Sequence, residues 1–189
     1  MTRFNLASLR NAGTTRRQRG ISLLELIAGL AIIAIIIIGA LALISQADAS
    51  ARSTEMLRGV SGIQASVIGL GKSRGSFGGG SAGDDLTAAM IRAKAIPDNW
   101  VKGSGSTATI RHSYGGEVTL KGYDIEYRLT LSAVPAEACI RLIAEQAGSG
   151  WNQVKVGSDT TVTFPATLGA ANTACSTSSN SMVFVGLLM

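Results

Sequence analysis

Glu25 is the one ionisable residue at the start of a long apolar run, and its charge needs an explanation. The 19 residues from Leu26 to Ile44 are drawn only from Leu, Ile, Ala and Gly. An ionised side chain at the centre of a membrane helix costs about 2.5–3.5 kcal/mol, and less near the interface. Glu25 therefore needs either a partner cation or a position at the level of the lipid headgroups.

A cut after Gly20 would supply that cation. It would make Ile21 the first residue, with an α-amine whose ordinary pKa is about 8, so the amine is charged at neutral pH. Ile21 lies one helical turn before Glu25. The two groups could pair within one chain, or between neighbouring chains staggered by one turn. Pairing between chains in a low-dielectric core would fix the axial register of the subunits.

The apolar run predicts a membrane-spanning helix. Nineteen residues at 1.5 Å each give about 28 Å, close to the roughly 30 Å hydrocarbon core of a bilayer. Residues 1–20 contain five arginines and no acidic residue. By the positive-inside rule this segment stays in the cytoplasm and the C-terminal body crosses the membrane. The rest of the chain has equal numbers of basic and acidic residues, so the high pI does not indicate direct nucleic-acid binding.

An amphipathic pattern follows the apolar run without a proline to interrupt it. Apolar residues recur at helical spacing, while Arg52, Glu55, Arg58 and Gln64 fall on other faces. We predict one helix from Ile21 to about Leu70, roughly 70 Å long. Its second half buries the face formed by Leu57, Val60, Ile63, Val67 and Ile68.

The remainder of the chain predicts an α+β head. A Gly/Ser-rich loop covers residues 69–83, and Asp84 or Asp85 is expected to cap a helix that ends at Ala95, before Pro97. Gly115-Gly116 predicts a hairpin turn. A strand follows with Ile125, Tyr127, Leu129 and Leu131 on one face, then a helix that begins at Pro135. Further strands are expected at NQVKV, TTVTF and SMVFVGLLM, giving an antiparallel sheet against the amphipathic half of the long helix.

Cys139 and Cys175, the two cysteines of the chain, lie in the exported part. In an oxidising periplasm an isolated pair predicts one disulfide, worth about 3–4 kcal/mol in the chain-entropy model. Two buried free thiols are the alternative. His112 is the one histidine, expected at the surface or in the hairpin, and no Cys/His pair recurs at metal-ligand spacing. We expect no catalytic residue, no metal and no cofactor.

The residues from Arg17 to Glu25, RQRGISLLE, and the apolar helix after them resemble the class III signal of type IV prepilins. The resemblance implies that a prepilin peptidase cuts after Gly20 and N-methylates Ile21, and that Glu25 sets assembly register. It implies the type IV pilin fold, a long N-terminal helix on an antiparallel sheet. The implied partners are other copies in a helical homopolymer, an assembly ATPase with its inner-membrane platform, and an outer-membrane secretin.

The 20-residue leader and the motifs AIPDNW, YGGEVTL and VPAEACIRL resemble the major type IVb pilins of thin conjugative pili. The resemblance implies a leader (1–20), a membrane and fibre-core half-helix (21–46), an amphipathic half-helix (47–70) and a head (71–189). The subunit would wait in the inner membrane, N-terminus in the cytoplasm, and later form an extracellular fibre for adhesion, aggregation or conjugative contact.

Two alternatives remain from the sequence. One is a type II secretion pseudopilin, which uses the same N-terminal chemistry. The other is a soluble periplasmic protein released at the Ala-x-Ala sites around residues 47–51. An apolar run of 19 residues is long for a secretory signal, whose apolar core usually has about 7–15.

Overall fold

The structure, a computed structural model, describes residues 22–79 and 82–188. The chain divides into two compact units, Met1–Ser45 and Gln46–Met189. In the first unit the described residues belong almost entirely to helix. The second unit holds the sheet and the hydrophobic core and is called the head from here on. It includes the amphipathic half-helix 47–70, which was predicted as a segment separate from residues 71–189.

Helix α1 (Leu23–Arg74) is continuous over 52 residues, which confirms the single long helix. Its residues become buried only from Ser53 onward. On the predicted buried face, Leu57, Val60, Ile63 and Val67 are buried and Ile68 is half-buried.

Gln64 corrects the predicted helix face. The sequence pattern places it on a solvated side of α1, but it is 4% exposed. Its Nε2 donates to the carbonyl oxygen of Ser149 at 2.8 Å. The buried amide is thus satisfied by a backbone acceptor 85 residues away, which helix periodicity cannot reveal.

Within the described residues, eight antiparallel strands form one sheet in the order β2-β3-β4-β5-β8-β6-β7, with β1 also paired to β4. The strands are β1 (Asp84–Asp85), β2 (Val101–Lys102), β3 (Thr109–Arg111), β4 (Glu117–Tyr123), β5 (Glu126–Pro135), β6 (Trp151–Val156), β7 (Thr160–Thr163) and β8 (Ser179–Leu187). The predicted antiparallel sheet against the long helix is confirmed. The strand β8 lies between β5 and β6, although it follows both in the chain.

The register aligns buried side chains in rows across four strands. One row joins Leu120, Leu129, Phe184 and Val154, which are all almost fully buried. Alternation along each strand leaves the other face half-buried or exposed. The sheet therefore has one core-facing side, and the buried face of α1 belongs to the same core cluster.

Three shorter helices complete the head: α2 (Thr87–Arg92), α3 (Ala136–Gln146) and α4 (Leu168–Ala174). The helix predicted from Asp84 or Asp85 to Ala95 is shorter than expected, because Lys94 adopts a left-handed conformation with φ 52°. The predicted cap is also corrected. Asp84 and Asp85 form β1, and α2 has Leu86 at its N-cap, while Asp85 Oδ1 accepts the Thr87 N–H at 2.8 Å.

Strand β5, predicted to follow the Gly115-Gly116 hairpin, is confirmed, and one residue of its predicted face is corrected. Tyr127, Leu129 and Leu131 are buried on one face of β5, but Ile125 is 55% exposed. Ile125 lies in the turn before β5, next to Asp124 with φ 50°. Pro135 ends β5 and stands at the N-cap of α3, at the predicted beginning of the second helix.

Candidate functional site

The apolar segment, residues 23–44 of α1, is the most unusual surface of the chain. Its large hydrophobic side chains are 52–78% exposed. An 18-residue window has a mean hydropathy of 3.1, with none of it buried, so this helix is long and apolar enough to cross a membrane. Water does not tolerate a continuous apolar surface of this size, so lipid or other protein must cover it.

Glu25 lies in the first turn of α1 at the beginning of the apolar segment. The carbonyl oxygen of Ser22 accepts hydrogen bonds from the backbone N–H groups of Glu25 (2.9 Å) and Leu26 (3.0 Å). The side chain is exposed, and none of the ion pairs between described residues involves it. A carboxylate here is favoured by the positive end of the helix dipole, whatever other partner it has.

Gly20 and Ile21, the predicted cleavage site, lie outside the described residues. Ser22 is the first residue that the structure describes, and the helix begins at Leu23. The predicted pairing of an Ile21 amine with Glu25 therefore stays a prediction.

The second site predicted from sequence is the disulfide, which is present between Cys139 in α3 and Cys175 directly after α4. The Cα atoms are 5.9 Å apart, and both residues are buried. The bridge closes a 36-residue separation that contains β6, β7 and α4. From Thr160 to Leu188 the chain carries no charged residue, so this last part of the head, which includes Cys175, is neutral and rich in Thr and Ser.

His112, expected at the surface or in the hairpin, lies at the base of the hairpin turn and is only 3% exposed. Its Nε2 lies 2.7 Å from the carbonyl oxygen of Ser132, and the N–H of Tyr114 donates to Nδ1 at 3.2 Å. Both ring nitrogens are thus satisfied when the imidazole is neutral, with its proton on Nε2. Burial lowers the pKa of His112, and the bond to Ser132 acts in the opposite direction.

A buried polar cluster that sequence reasoning missed joins α1 to the end of α3. Gln146 donates through Nε2 to Ser61 Oγ at 2.9 Å. Its Oε1 accepts from Trp151 Nε1 at 3.1 Å and from the hydroxyl of Ser149 at 2.7 Å. These bonds, with the one from Gln64, fix the rotation of α1 about its own axis against the sheet.

Within residues 22–79 and 82–188, no group of three or more His, Cys, Asp or Glu residues is arranged to hold a metal ion. The clefts of the head are open and shallow. One cleft is lined by both His112 and Ser113. The Ser113 hydroxyl donates to the carbonyl oxygen of Arg52, and both His112 ring nitrogens are bonded elsewhere, so this cleft does not pair a nucleophile with a base. The described residues therefore offer two kinds of interaction: burial of the apolar segment, and pairing of the Glu25 carboxylate with a cation.

Comparison with known proteins gives two family matches and a structural match. The family described as PilS N terminal matches residues 46–187, and the Prokaryotic N-terminal methylation motif matches residues 15–41. The crystal structure of the type IV b pilin from Salmonella typhi has a similar fold. It is 22% identical, with a TM-score of 0.54, over 68% of this chain and 95% of that one. No curated protein matches this chain.

Proposed function

The chain belongs to the PilS family of pilins, and from this membership we propose that it is the structural subunit of a type IVb pilus. In this proposal a prepilin peptidase cuts after Gly20 and methylates Ile21. The subunit then waits in the inner membrane and is polymerised into a surface fibre for adhesion, aggregation or conjugative contact. The predicted pilin family and the type IV pilin fold are confirmed. The type IVb assignment is part of the proposal. The processing steps and the role of the fibre are proposals.

The observation that carries the proposal is the exposed apolar segment at the start of a helix that continues into the head. In a membrane the segment is covered by lipid. In an aqueous fibre only neighbouring copies can cover it, and each Å² of apolar surface removed from water contributes about 25 cal/mol. A Cβ added at Gly29 or Gly39 would meet no atom within 4 Å, so both glycines leave room for neighbouring helices to approach closely.

Glu25 gives the proposed fibre its register. A carboxylate enclosed by apolar helices is costly unless a cation neutralises it. The α-amine produced by a cut after Gly20 is the cation nearest in sequence, and Glu25 of an adjacent copy is its natural partner. The buried pair would make one axial stagger much more favourable than others.

The head suits a subunit that works outside the cell. The disulfide ties α3 to the neutral segment after α4, and its two sulfurs are shielded from solvent reductants. The proposed partners are further copies of the chain, the peptidase, the assembly ATPase with its inner-membrane platform, and an outer-membrane secretin. We propose no enzymatic activity for the subunit and no direct binding of nucleic acid.

Mass spectrometry of the N-terminal peptide, on chain purified from membranes and from sheared surface material, tests the proposal. A peptide that begins with methylated Ile21 in both fractions supports it. A start near Ser50 would instead indicate a secreted periplasmic protein, and an intact leader on polymerised chain would refute processing. Electron microscopy of the sheared material distinguishes a pilus from a pseudopilus. Long fibres indicate a pilus, whereas a periplasmic pseudopilus would leave no fibres in this fraction. The Gly20→Ala variant should keep its leader and stay in the membrane.

A further inference from the structure

The turn between β3 and β4, residues 112–116, contacts the part of α1 that belongs to the head. The hydroxyl of Ser113 donates to the carbonyl oxygen of Arg52 at 2.9 Å, and the hydroxyl of Tyr114 donates to that of Ala49 at 3.3 Å. The two carbonyl oxygens belong to α1, and the turn supplies both hydroxyl donors. These bonds are additional to the hydrogen bonds within the helix. The hairpin turn therefore fixes α1 close to Gln46, where the head begins.

His112 holds the turn in the shape that makes those contacts. Its Nδ1 accepts the N–H of Tyr114, and its Nε2 reaches across to Ser132 on β5. Behind the ring, Gly116 packs so tightly that a Cβ there would overlap His112 and the Ser132 carbonyl. In this ring position the two hydrogen bonds require one tautomer, with the proton on Nε2 and none on Nδ1.

Protonation would break this arrangement. An imidazolium donates from both nitrogens, so the Nδ1–H would face the N–H of Tyr114, and two donors cannot bond to each other. The new charge would also be buried beside the aromatic rings of Trp100 and Tyr114, whose centroids lie 6.4 and 6.3 Å from that of His112.

The charges around the ring do not compensate a buried imidazolium. A cleft of about 500 Å³ beside His112 gives protons a route from solvent. On α1 it is lined by Asp48, Arg52 and Glu55, and on β2 and β3 by Lys102 and Arg111. Asp48 is already paired with Arg52 at 2.9 Å, and Glu55 accepts from Trp100. From α3, Glu137 raises the pKa of Tyr114 and Arg141 lowers it, so their electrostatic effects beside the ring oppose each other.

We propose that His112 is a pH-sensitive latch, whose protonation opens the hairpin turn and releases its hold on Ala49 and Arg52 of α1. The latch goes beyond the pilin function, since it does not depend on processing or polymerisation. The hydrogen bonds from the turn to α1 would form at neutral pH and be lost at acid pH.

The direction follows from linkage. Burial lowers the pKa of His112 in the closed form below the ordinary value of 6.5. The closed form therefore binds fewer protons than the open one. Its stability is fully present above pH 6.5 and is lost as the pH falls from 6.5 through the lowered pKa. In that window the population of the open form rises about tenfold per pH unit. The ordinary pKa values of carboxyl groups, about 3.9–4.3, lie well below 6.5, the upper end of this window.

Two measurements on the full, untagged chain in detergent test the latch. Because His112 is the one histidine of the chain, NMR of ¹³C-labelled histidine gives a single titration curve. We expect a midpoint below 6.5. Hydrogen exchange followed by mass spectrometry, corrected for intrinsic rates, should show residues 49–58 and 109–118 exchanging faster as the pH falls from about 7.5 to about 5.5.

Matched variants separate the latch from general acid loosening. In His112→Asn the side-chain oxygen can accept the Tyr114 N–H but cannot be protonated, so the pH dependence of exchange in residues 49–58 should disappear. Tyr114→Phe removes the bond to Ala49 and should raise exchange there at every pH. A histidine midpoint at or above 6.5, or wild-type exchange in residues 49–58 that does not change with pH, would overturn the proposal. Either result stands even if His112→Asn fails to fold.

Discussion

The indole ring of Trp100 lies directly on Gly59 of α1, in the space that a Cβ at position 59 would occupy. The ring is 1% exposed, and its Nε1 donates to Glu55 Oε1 at 3.2 Å, one helical turn before Gly59. The side chain of Asn99 donates to the same oxygen. A glycine inside a helix is normally a weakness; here it makes room for the aromatic ring that joins α1 to the loop before β2.

Gly59→Ala should destabilise the head by about 1–3 kcal/mol, because the added methyl group displaces a rigid buried ring. Gly62→Ala is the matched control. It lies on the same helix with nothing within 4 Å of its Cβ position, and should stabilise the chain by roughly 0.5–1 kcal/mol through helix propensity. Urea unfolding followed by tryptophan fluorescence measures both. Equal effects of the two substitutions would show that the Trp100 contact does not limit position 59.

Glu25→Ala should be processed normally yet assemble poorly, because a neighbouring chain's amine would lose its carboxylate. A charged hydrogen bond of this kind contributes about 1.5–3 kcal/mol, so the fibre yield should fall at least about tenfold. Immunoblots of sheared fibres against total processed subunit give the ratio. Glu25→Gln keeps the size and removes the charge, and should behave like Glu25→Ala. A normal yield from either variant would refute the register role.

Replacing both Cys139 and Cys175 by Ala should lower the free energy of unfolding by about 3–4 kcal/mol, the loop-closure value for this separation. The oxidised wild-type chain should resist mild reductant in its native state, because both sulfurs are buried. Chemical unfolding with and without reductant measures the difference. If wild-type unfolding is the same in both conditions, the bridge does not contribute to stability.

Tyr127→Phe should leave the stability at pH 7 unchanged or raise it by up to about 1 kcal/mol. The hydroxyl of Tyr127 is buried and makes no hydrogen bond of normal geometry with the described residues, although the side chain of Gln64 lies close to it. Burial raises its pKa to about 12, with a smaller lowering by the side chain of Gln64. The native chain therefore keeps the phenol proton while the unfolded chain loses it near pH 10, and stability falls between about pH 10 and 12.

The comparison of wild type with Tyr127→Phe in urea at pH 7 and at about pH 10.5 tests this assignment. The stability advantage of the Phe variant should be larger at the higher pH. A variant that is less stable at pH 7 would show that the hydroxyl has a partner, such as a bound water.

Features with a regular period were predictable from the sequence. The long helix, the buried face containing Val60 and Ile63, and the alternation of Tyr127 and Leu129 follow from side-chain periods of about 3.6 and 2. The helix continues to Arg74, past the predicted end at about Leu70 and into the predicted Gly/Ser-rich loop. The strands NQVKV (β6) and TTVTF (β7) were also predicted, because β-branched residues and flanking turn residues mark them. Local patterns thus predicted the architecture, and the family signal predicted the arrangement of sheet and helix.

Features that depend on distant partners were missed. Gln64 and Gln146 are polar in sequence, and only contacts with Ser149 and Ser61 explain their burial. The short helix α4 has no apolar period that would predict it. Its N-cap is Thr167, whose hydroxyl accepts the Ala170 N–H at 3.2 Å, and a single threonine is too weak a sequence signal for a helix. For His112, the hairpin position was predictable but the burial depends on its packing across the sheet.

The position of β8 between β5 and β6 imposes an order on folding. As the chain is synthesised, β4 can pair with β5 and β6 with β7 as separate hairpins before β8 is available. The two halves have no common backbone ladder until residues 179–187 arrive to join them. A chain that lacks residues 179–187 therefore leaves the edges of β5 and β6 that face β8 without a partner strand, and the sheet closes only when β8 is present.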